Sequence, residues 1–188
     1  MKILVTGAAG FIGYHLVKSL VEANHEVIGL DNINDYYSTN LKFDRLNELG
    51  INMDSAKDFL SLSNSNLFQN FKFTRMNLED RENLPRLFKD QKFDVVCNLA
   101  AQAGVRYVSK NPNSYFENNI KGFYNILDAS RLYKVKHLVA ASTSSVYGIN
   151  KKMPYDVNSP ADHPTQFYAA SKRSNETRKA SMYHGKQL

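Results

Sequence analysis

The stretch KILVTGAAGFIG, Lys2 to Gly13, decides the fold. Its first five residues are, after Lys2, apolar or β-branched and read as a strand. Glycines follow at Gly7, Gly10 and Gly13, and an amphipathic stretch from Tyr14 to Ala23 then reads as a helix. Strand, glycine-rich turn and helix in that order open a dinucleotide-binding unit. Gly7 lets the chain turn sharply off the strand, Gly10 lets a pyrophosphate approach the backbone, and Gly13 lets the helix pack closely. The start of the helix offers free N–H groups and the positive end of its dipole to phosphates. Asp31 closes the next apolar run, Glu26 to Leu30. It lies about 20 residues beyond the turn, where an acid can take a ribose 2′-OH. A tight turn with no ligand is the plainer reading of the glycines alone, and Asp31 weighs against it.

Strand and helix signals alternate along the rest of the chain. A polar loop, Asn32 to Asn40, carries Tyr36 and Tyr37. Leu41, Leu46 and Leu49 mark a short helix that stops at Gly50. The Ser- and Asn-rich stretch Ile51 to Asn70 reads as a surface excursion. Phe71 to Met76 alternates as a third strand, Asp80 to Asp90 is a helix, and Phe93 to Leu99 is a nearly all-apolar strand, as expected for a parallel strand covered on both faces. Ala100 to Pro112 is a loop, Ser114 to Tyr133 a long helix and Val135 to Ala141 a fifth strand. Ser142 to Gln166 is mostly loop, and Phe167 to His184 is a last helix. The expected class is α/β, a doubly wound parallel sheet in the order 3-2-1-4-5 with right-handed crossovers. Ligands bind beyond the carboxyl ends of such strands, where the glycine turn, Asp31, Ala100-Ala101 and Ser142 to Ser145 fall.

Composition narrows the class. The chain has 188 residues, 43% of them hydrophobic, enough for one large domain. The one Cys, Cys97, sits in the apolar run FDVVCNLA, which excludes a disulfide framework and suggests a buried, inert thiol. No stretch is long and apolar enough to cross a bilayer, and no signal peptide precedes the first strand, so a cytoplasmic protein without a membrane partner is expected. The net charge is +6 with a pI near 9.3. The basic residues are scattered, and the mild cluster Lys172, Arg173, Arg178 and Lys179 reads as a solvated helix face. Nucleic acid is therefore not the expected partner; anionic small molecules are. No metal site is expected.

Candidate chemistry sits in two places. Tyr168-Ala-Ala-Ser-Lys172 sets a phenol and an ammonium at i and i+4, on one helix face. A free phenol, with its pKa near 10, is a poor base at neutral pH, and a neighbouring ammonium lowers that value. The pair can exchange a proton with a substrate hydroxyl while a cofactor takes the hydride. Ser142-Thr143-Ser144-Ser145 ends the fifth strand, and its four hydroxyls can hold a reacting hydroxyl and a neighbouring anionic group; a helix-cap or turn cluster is the bland alternative.

TGAAGFIG, the Asp31 run, LAAQAGVRY (99–107), YFENNIKGFYNILDAS (115–130), ASTSSVYG (141–148) and YAASK (168–172) together resemble the extended short-chain dehydrogenase/reductase family. Within it the chain is most similar to the UDP-glucuronate 4-epimerases, with AAQAGVRY the most specific tract and DNINDYY (31–37) in support. The resemblance implies NAD, which takes a hydride from carbon 4 of the sugar and returns it to the other face. It implies that Tyr168 removes the hydroxyl proton, Thr143 holds that hydroxyl, and Lys172 tunes Tyr168 and binds the nicotinamide ribose. Gly7, Gly10 and Gly13 take the pyrophosphate and Asp31 the adenine ribose. Phe11, Ile12, Asn32, Asn77, Leu78, Leu99, Ala100, Ala101, Asn119 and Ser142 complete the implied cofactor contacts. Ser144 and Ser145 meet the sugar carboxylate, and Arg106 lies near the substrate. Asn32 follows Asp31, with no Arg to welcome a 2′-phosphate, so NAD is expected over NADP. Asn77 stands where many relatives carry an Asp that contacts adenine.

Relatives that dehydrate carry an Asp-Glu pair after the catalytic Thr, and those that decarboxylate carry a Glu just before the Val-Tyr-Gly. Both positions after Thr143 are Ser here, which argues for plain epimerisation. The family's chains run on to a further strand and a small domain that grips the uridine diphosphate. The expectation is therefore one Rossmann-like domain over residues 1–188 carrying the Thr, Tyr and Lys, with the last strands and the C-terminal substrate domain absent and a sheet edge uncovered. A homodimer through the helices at 114–133 and 167–184 is also implied. A non-catalytic NAD-binding module and a related sugar-nucleotide dehydratase or reductase are the competing readings.

Overall fold

The computed structural model describes residues 1–104, 111–151 and 153–184, with side chains through residue 177. Six strands form one sheet: β1 (Lys2–Thr6), β2 (Glu26–Asp31), β3 (Leu62–Asn64), β4 (Phe71–Arg75), β5 (Val95–Asn98) and β6 (His137–Ala140), in the order β3-β4-β2-β1-β5-β6. The five long-range strands are parallel in the expected order. The register aligns Thr6 with Leu30 and with Asn98, Asp31 with Arg75, and Asn98 with Ala140. All the carboxyl ends therefore share one edge, and the loops leaving them face one another.

Helices cover both faces. α1 (Phe11–Glu22), α2 (Thr39–Glu48) and the short α3 (Met53–Lys57) lie on one. There Ile3 and Val5 of β1 pack with Val17, Val21, Leu46 and Leu49. α4 (Asn83–Gln91) and the helical stretch from Pro112 to Leu132 lie on the other, where Leu4 and Ile28 pack with Leu84, Phe88, Phe123 and Ile126. Alternate residues of β1 thus feed opposite cores, which is why Ile3, Leu4 and Val5 are all apolar.

Two regions depart from the sequence reading. The stretch 51–70 is not a plain excursion: it forms α3 and β3, and β3 pairs antiparallel with β4, adding a sixth strand at the sheet edge. The long helix is a composite of α5 (Pro112–Tyr115), a π-helical segment (Phe116–Gly122) and α6 (Phe123–Leu132). α7 (Phe167–His184) closes the described chain and packs on the π segment, α5 and α6.

The glycine turn is set by contact distances. Gly7 has φ +73°, and a Cβ there would meet the Ala100 backbone N at 2.9 Å. A Cβ on Gly13 would stand 2.0 Å from the Gly7 carbonyl oxygen, less than any non-bonded contact allows. Gly13→Ala is expected to cost about 3 kcal/mol of stability by forcing α1 off the turn, read as a lower midpoint in urea denaturation. A variant as stable as the parent chain would show that α1 can shift without loss.

Candidate active site

The first wall of the site is the turn between β1 and α1. Gly10 caps α1, no side chain caps the helix, and no acid lies in its first turn. The first-turn N–H groups are therefore left for an external acceptor. Phe11 and Ile12 point outward, 66% and 67% exposed. Arg45 of α2 donates to the Ala9 carbonyl at 3.2 Å and lies over the Phe11 ring, 5.8 Å from its centre, which ties α2 to the turn.

Asp31 is buried, and its carboxylate already has work to do. Oδ2 accepts from the Ala9 N–H at 3.2 Å, and Oδ1 accepts from the Ile33 N–H at 2.8 Å. The acid thereby fixes the glycine turn against the end of β2. Asp31, Asn32, Asn34, Tyr36, Tyr37 and Lys42 line one side of a cleft that opens at the strand ends. Gly7, Gly10, Met76 and Leu78, together with the run from Leu99 to Ala103, line the rest. Leu99, Ala100, Ala101 and Leu78 thus stand where the sequence reading puts them. Asn77 does not line the cleft; its neighbours Met76 and Leu78 do, and its carbonyl accepts from the Asp80 N–H at 3.3 Å.

Asn119, in the π-helical segment, is 1% exposed. Its Oδ1 accepts from the Gln102 N–H at 2.8 Å, and its Nδ2 donates to the Gln102 carbonyl at 3.0 Å and to Ser171 Oγ at 3.3 Å. Asn119 thus acts as a clamp: one amide grips the cleft-lining loop after β5 and holds it to α7. Tyr115 reinforces it, donating to the Ala103 carbonyl at 3.1 Å while its ring meets Tyr168 edge-on at 6.1 Å.

α7 carries both Tyr168 and Lys172. Lys172 is 4% exposed, and its Nζ donates to the Ala141 carbonyl, just past β6, at 2.9 Å. This corrects the solvated-face reading of the cluster at 172–179. Arg173 of that cluster is half-buried and pairs with Glu176 at 3.0 Å, and Arg178 and Lys179 lie beyond the described side chains. Burial pulls the Lys172 ammonium down to about 8, opposed in part by Glu176. Thr143 Oγ1 accepts from the Ser145 N–H at 3.2 Å and lies 3.2 Å from Ser145 Oγ. It caps the 3₁₀ turn Ser144–Tyr147, the arrangement of the plain cap reading. Ser142 Oγ donates to Glu176 at 2.5 Å and Ser144 is exposed. Arg106 lies outside the described residues. Sequence reading missed Lys42, Gln102, Tyr115 and Glu176, although the quoted tracts LAAQAGVRY and YFENNIKGFYN contain two of them.

Residues 3–182 match the model of the NAD dependent epimerase/dehydratase family. The chain is 48% identical over 176 residues to Protein CapI of Staphylococcus aureus, a match covering 94% of this chain and 48% of that one. It is 40% identical over 184 residues to a probable UDP-glucuronate 4-epimerase of Rhizobium meliloti, covering 98% and 49%. Among solved structures it resembles the UDP-glucuronic acid 4-epimerase from Bacillus cereus in complex with UDP-glucuronic acid and NAD, with a TM-score of 0.78 at 33% identity over 98% of this chain and 52% of that one. The chain spans about half the length of these relatives.

Two outcomes follow from the geometry. Asn119→Ala strands the Gln102 N–H and carbonyl in a buried place and is expected to cost about 2–4 kcal/mol in chemical denaturation, as unmade buried hydrogen bonds do. Loss of less than about 0.5 kcal/mol, the scale of an ordinary surface change, would mean the clamp is dispensable. Lys172 holds its proton less tightly in the fold than at its usual 10.5, so the cost of the buried ammonium is fully present below about pH 8 and is relieved as pH rises through 8 towards 10.5. The stability of the parent chain relative to Lys172→Met should therefore rise over that window. A pH-independent difference would contradict the burial argument.

Proposed function

Because the chain belongs to the NAD-dependent epimerase/dehydratase family, we propose that it is the cofactor-binding and proton-transferring part of a nucleotide-sugar 4-epimerase. UDP-glucuronate and UDP-galacturonate are the pair interconverted. The observation that carries this reading is the Asn119 clamp: it sets α7, with Tyr168 and Lys172, beside the loop that lines the dinucleotide cleft. The Rhizobium relative's name and the Bacillus complex support the choice of sugar.

The residues present fit NAD. The uncapped start of α1 and the bare Gly7–Gly10 backbone suit a pyrophosphate, and each Asp31 oxygen keeps acceptor capacity for a ribose hydroxyl. When bound, NAD supplies reversible hydride transfer at carbon 4. Tyr168 takes the proton of the 4-hydroxyl and returns it after the sugar has turned over. Lys172, one helical turn away, favours the phenolate that this requires. Thr143, oriented by the Ser145 N–H, positions the hydroxyl, and Ser144 and Ser145 meet the sugar carboxylate. With Ser at both positions after Thr143, no acid or base stands there for elimination or decarboxylation, so the proton returns and epimerisation results. A homodimer through the 112–132 stretch and α7 belongs to the same reading, with Phe116 and Phe167 exposed on those helices.

A proton NMR time course with NAD and UDP-glucuronate tests this. The anomeric signal of UDP-galacturonate should appear, and Tyr168→Phe should lower the rate by 10²-fold or more, the usual scale for a general base, while NAD stays bound. No such signal with NAD bound would overturn the assignment of substrate, and unchanged turnover in Tyr168→Phe would overturn its role.

A further inference from the structure

Lys42 sits on α2, buried, with its side chain 9% exposed against 7% for that of Asp31. Both residues line the cleft. The Lys42 Nζ donates to Asn34 Oδ1 at 2.9 Å and stands 3.6 Å from Asp31 Oδ1. The second distance is an ion pair but too long for a hydrogen bond. An ammonium has three donors, and one is used here, on Asn34. Asp31 does not need the lysine for its own hydrogen bonding, since each carboxylate oxygen already accepts a backbone N–H, from Ala9 and from Ile33. A buried ammonium beside a buried carboxylate, in contact at one edge of a cleft and with donors to spare, is an arrangement that loop packing alone does not ask for. Burying an ammonium is costly unless something completes its hydrogen bonds.

We propose that Lys42 is a second reader of the adenine ribose of NAD, its ammonium donating to the ribose hydroxyls whose protons Asp31 accepts. A vicinal diol presents both donors and acceptors, and a carboxylate alone answers only the donors. The pair Lys42 and Asp31 answers both. The inference rests on the NAD reading above. It also changes how cofactor choice works in this cleft: the cation is present, supplied by α2 instead of by the residue after Asp31, so exclusion of a 2′-phosphate falls to the Asp31 carboxylate.

Calorimetric titration of the full chain with NAD, and with NAD analogues lacking the adenosine 2′-OH or 3′-OH, tests the proposal. Lys42→Met, which keeps the volume and removes the donors, should weaken NAD binding about tenfold or more, the scale of a hydrogen bond from a charged group. Against at least one deoxy analogue the variant and the parent chain should bind alike. Lys42→Arg should restore most of the loss. Should Lys42→Met fail to fold, Lys42→Gln, uncharged but still able to serve Asn34, is put through the same comparison. Undiminished NAD binding in the variant overturns the proposal. An equal loss against NAD and both analogues also overturns it, because it assigns Lys42 to loop packing alone. If the parent chain binds no NAD at all, the cofactor reading itself falls and this proposal with it.

Discussion

The site depends on one close approach, that of the Gly13 Cα to the carbonyl oxygen of Gly7. Because nothing larger than a hydrogen fits between them, α1 settles directly onto the end of β1, and Ala8 and Ala9 are fully buried in the turn. The burial brings the Ala9 N–H within reach of Asp31, so the acid that ends β2 also ties down the turn that ends β1. Strand spacing in a parallel sheet is fixed by the backbone, and the side chains beyond it can only meet if the turns are this tight. The open N–H groups of α1, the Asp31 carboxylate and the loop after β5 converge because the turn has no alternative geometry.

A second constraint holds the other wall. Where loops run inward, their backbone groups lose water and need partners from the protein. Buried amides fill that need here: Asn119 for Gln102, Asn125 for the Leu78 carbonyl at 2.9 Å, and Asn175 for the Asn119 carbonyl at 2.8 Å. Asn119 sits in a π-helical turn, a local widening that is found disproportionately at functional sites. Polar residues that a motif reading assigns to a ligand are also the residues that hold the cleft in shape. Asp31, Asn119 and Thr143 each serve backbone groups of their own chain.

That division explains what was legible in the sequence. The parallel strands are covered on both faces, so they are apolar runs that stand out without any periodicity. The glycines were legible because each answers a steric demand. The stretch 51–70 was not, since β3 is a polar edge strand of three residues, Leu62–Asn64, whose pairing depends on β4 and not on its own pattern. A charge in a basic run gives no sign of burial, so Lys172 reads as part of a solvated face; its burial follows from the docking of α7 and from the Ala141 carbonyl across the chain. Lys42 went unread for a related reason. The motif expects a cation at the residue after Asp31, whereas the fold brings one back from α2.

The two buried lysines make a further point about how a chain of net charge +6 uses that charge. Among the described residues most ion pairs lie at the surface and contribute little. Lys42 and Lys172 differ in kind: the hydrogen bond of each goes to a neutral oxygen, Asn34 Oδ1 for one and the Ala141 carbonyl for the other. Neutral partners answer a donor without cancelling the charge, and of the two ammoniums only that of Lys42 also has a buried carboxylate, Asp31, within ion-pair distance at 3.6 Å. For Lys172 the strain of that arrangement is visible in a proton held only to about pH 8. The buried Lys172 ammonium therefore costs the fold stability below about pH 8.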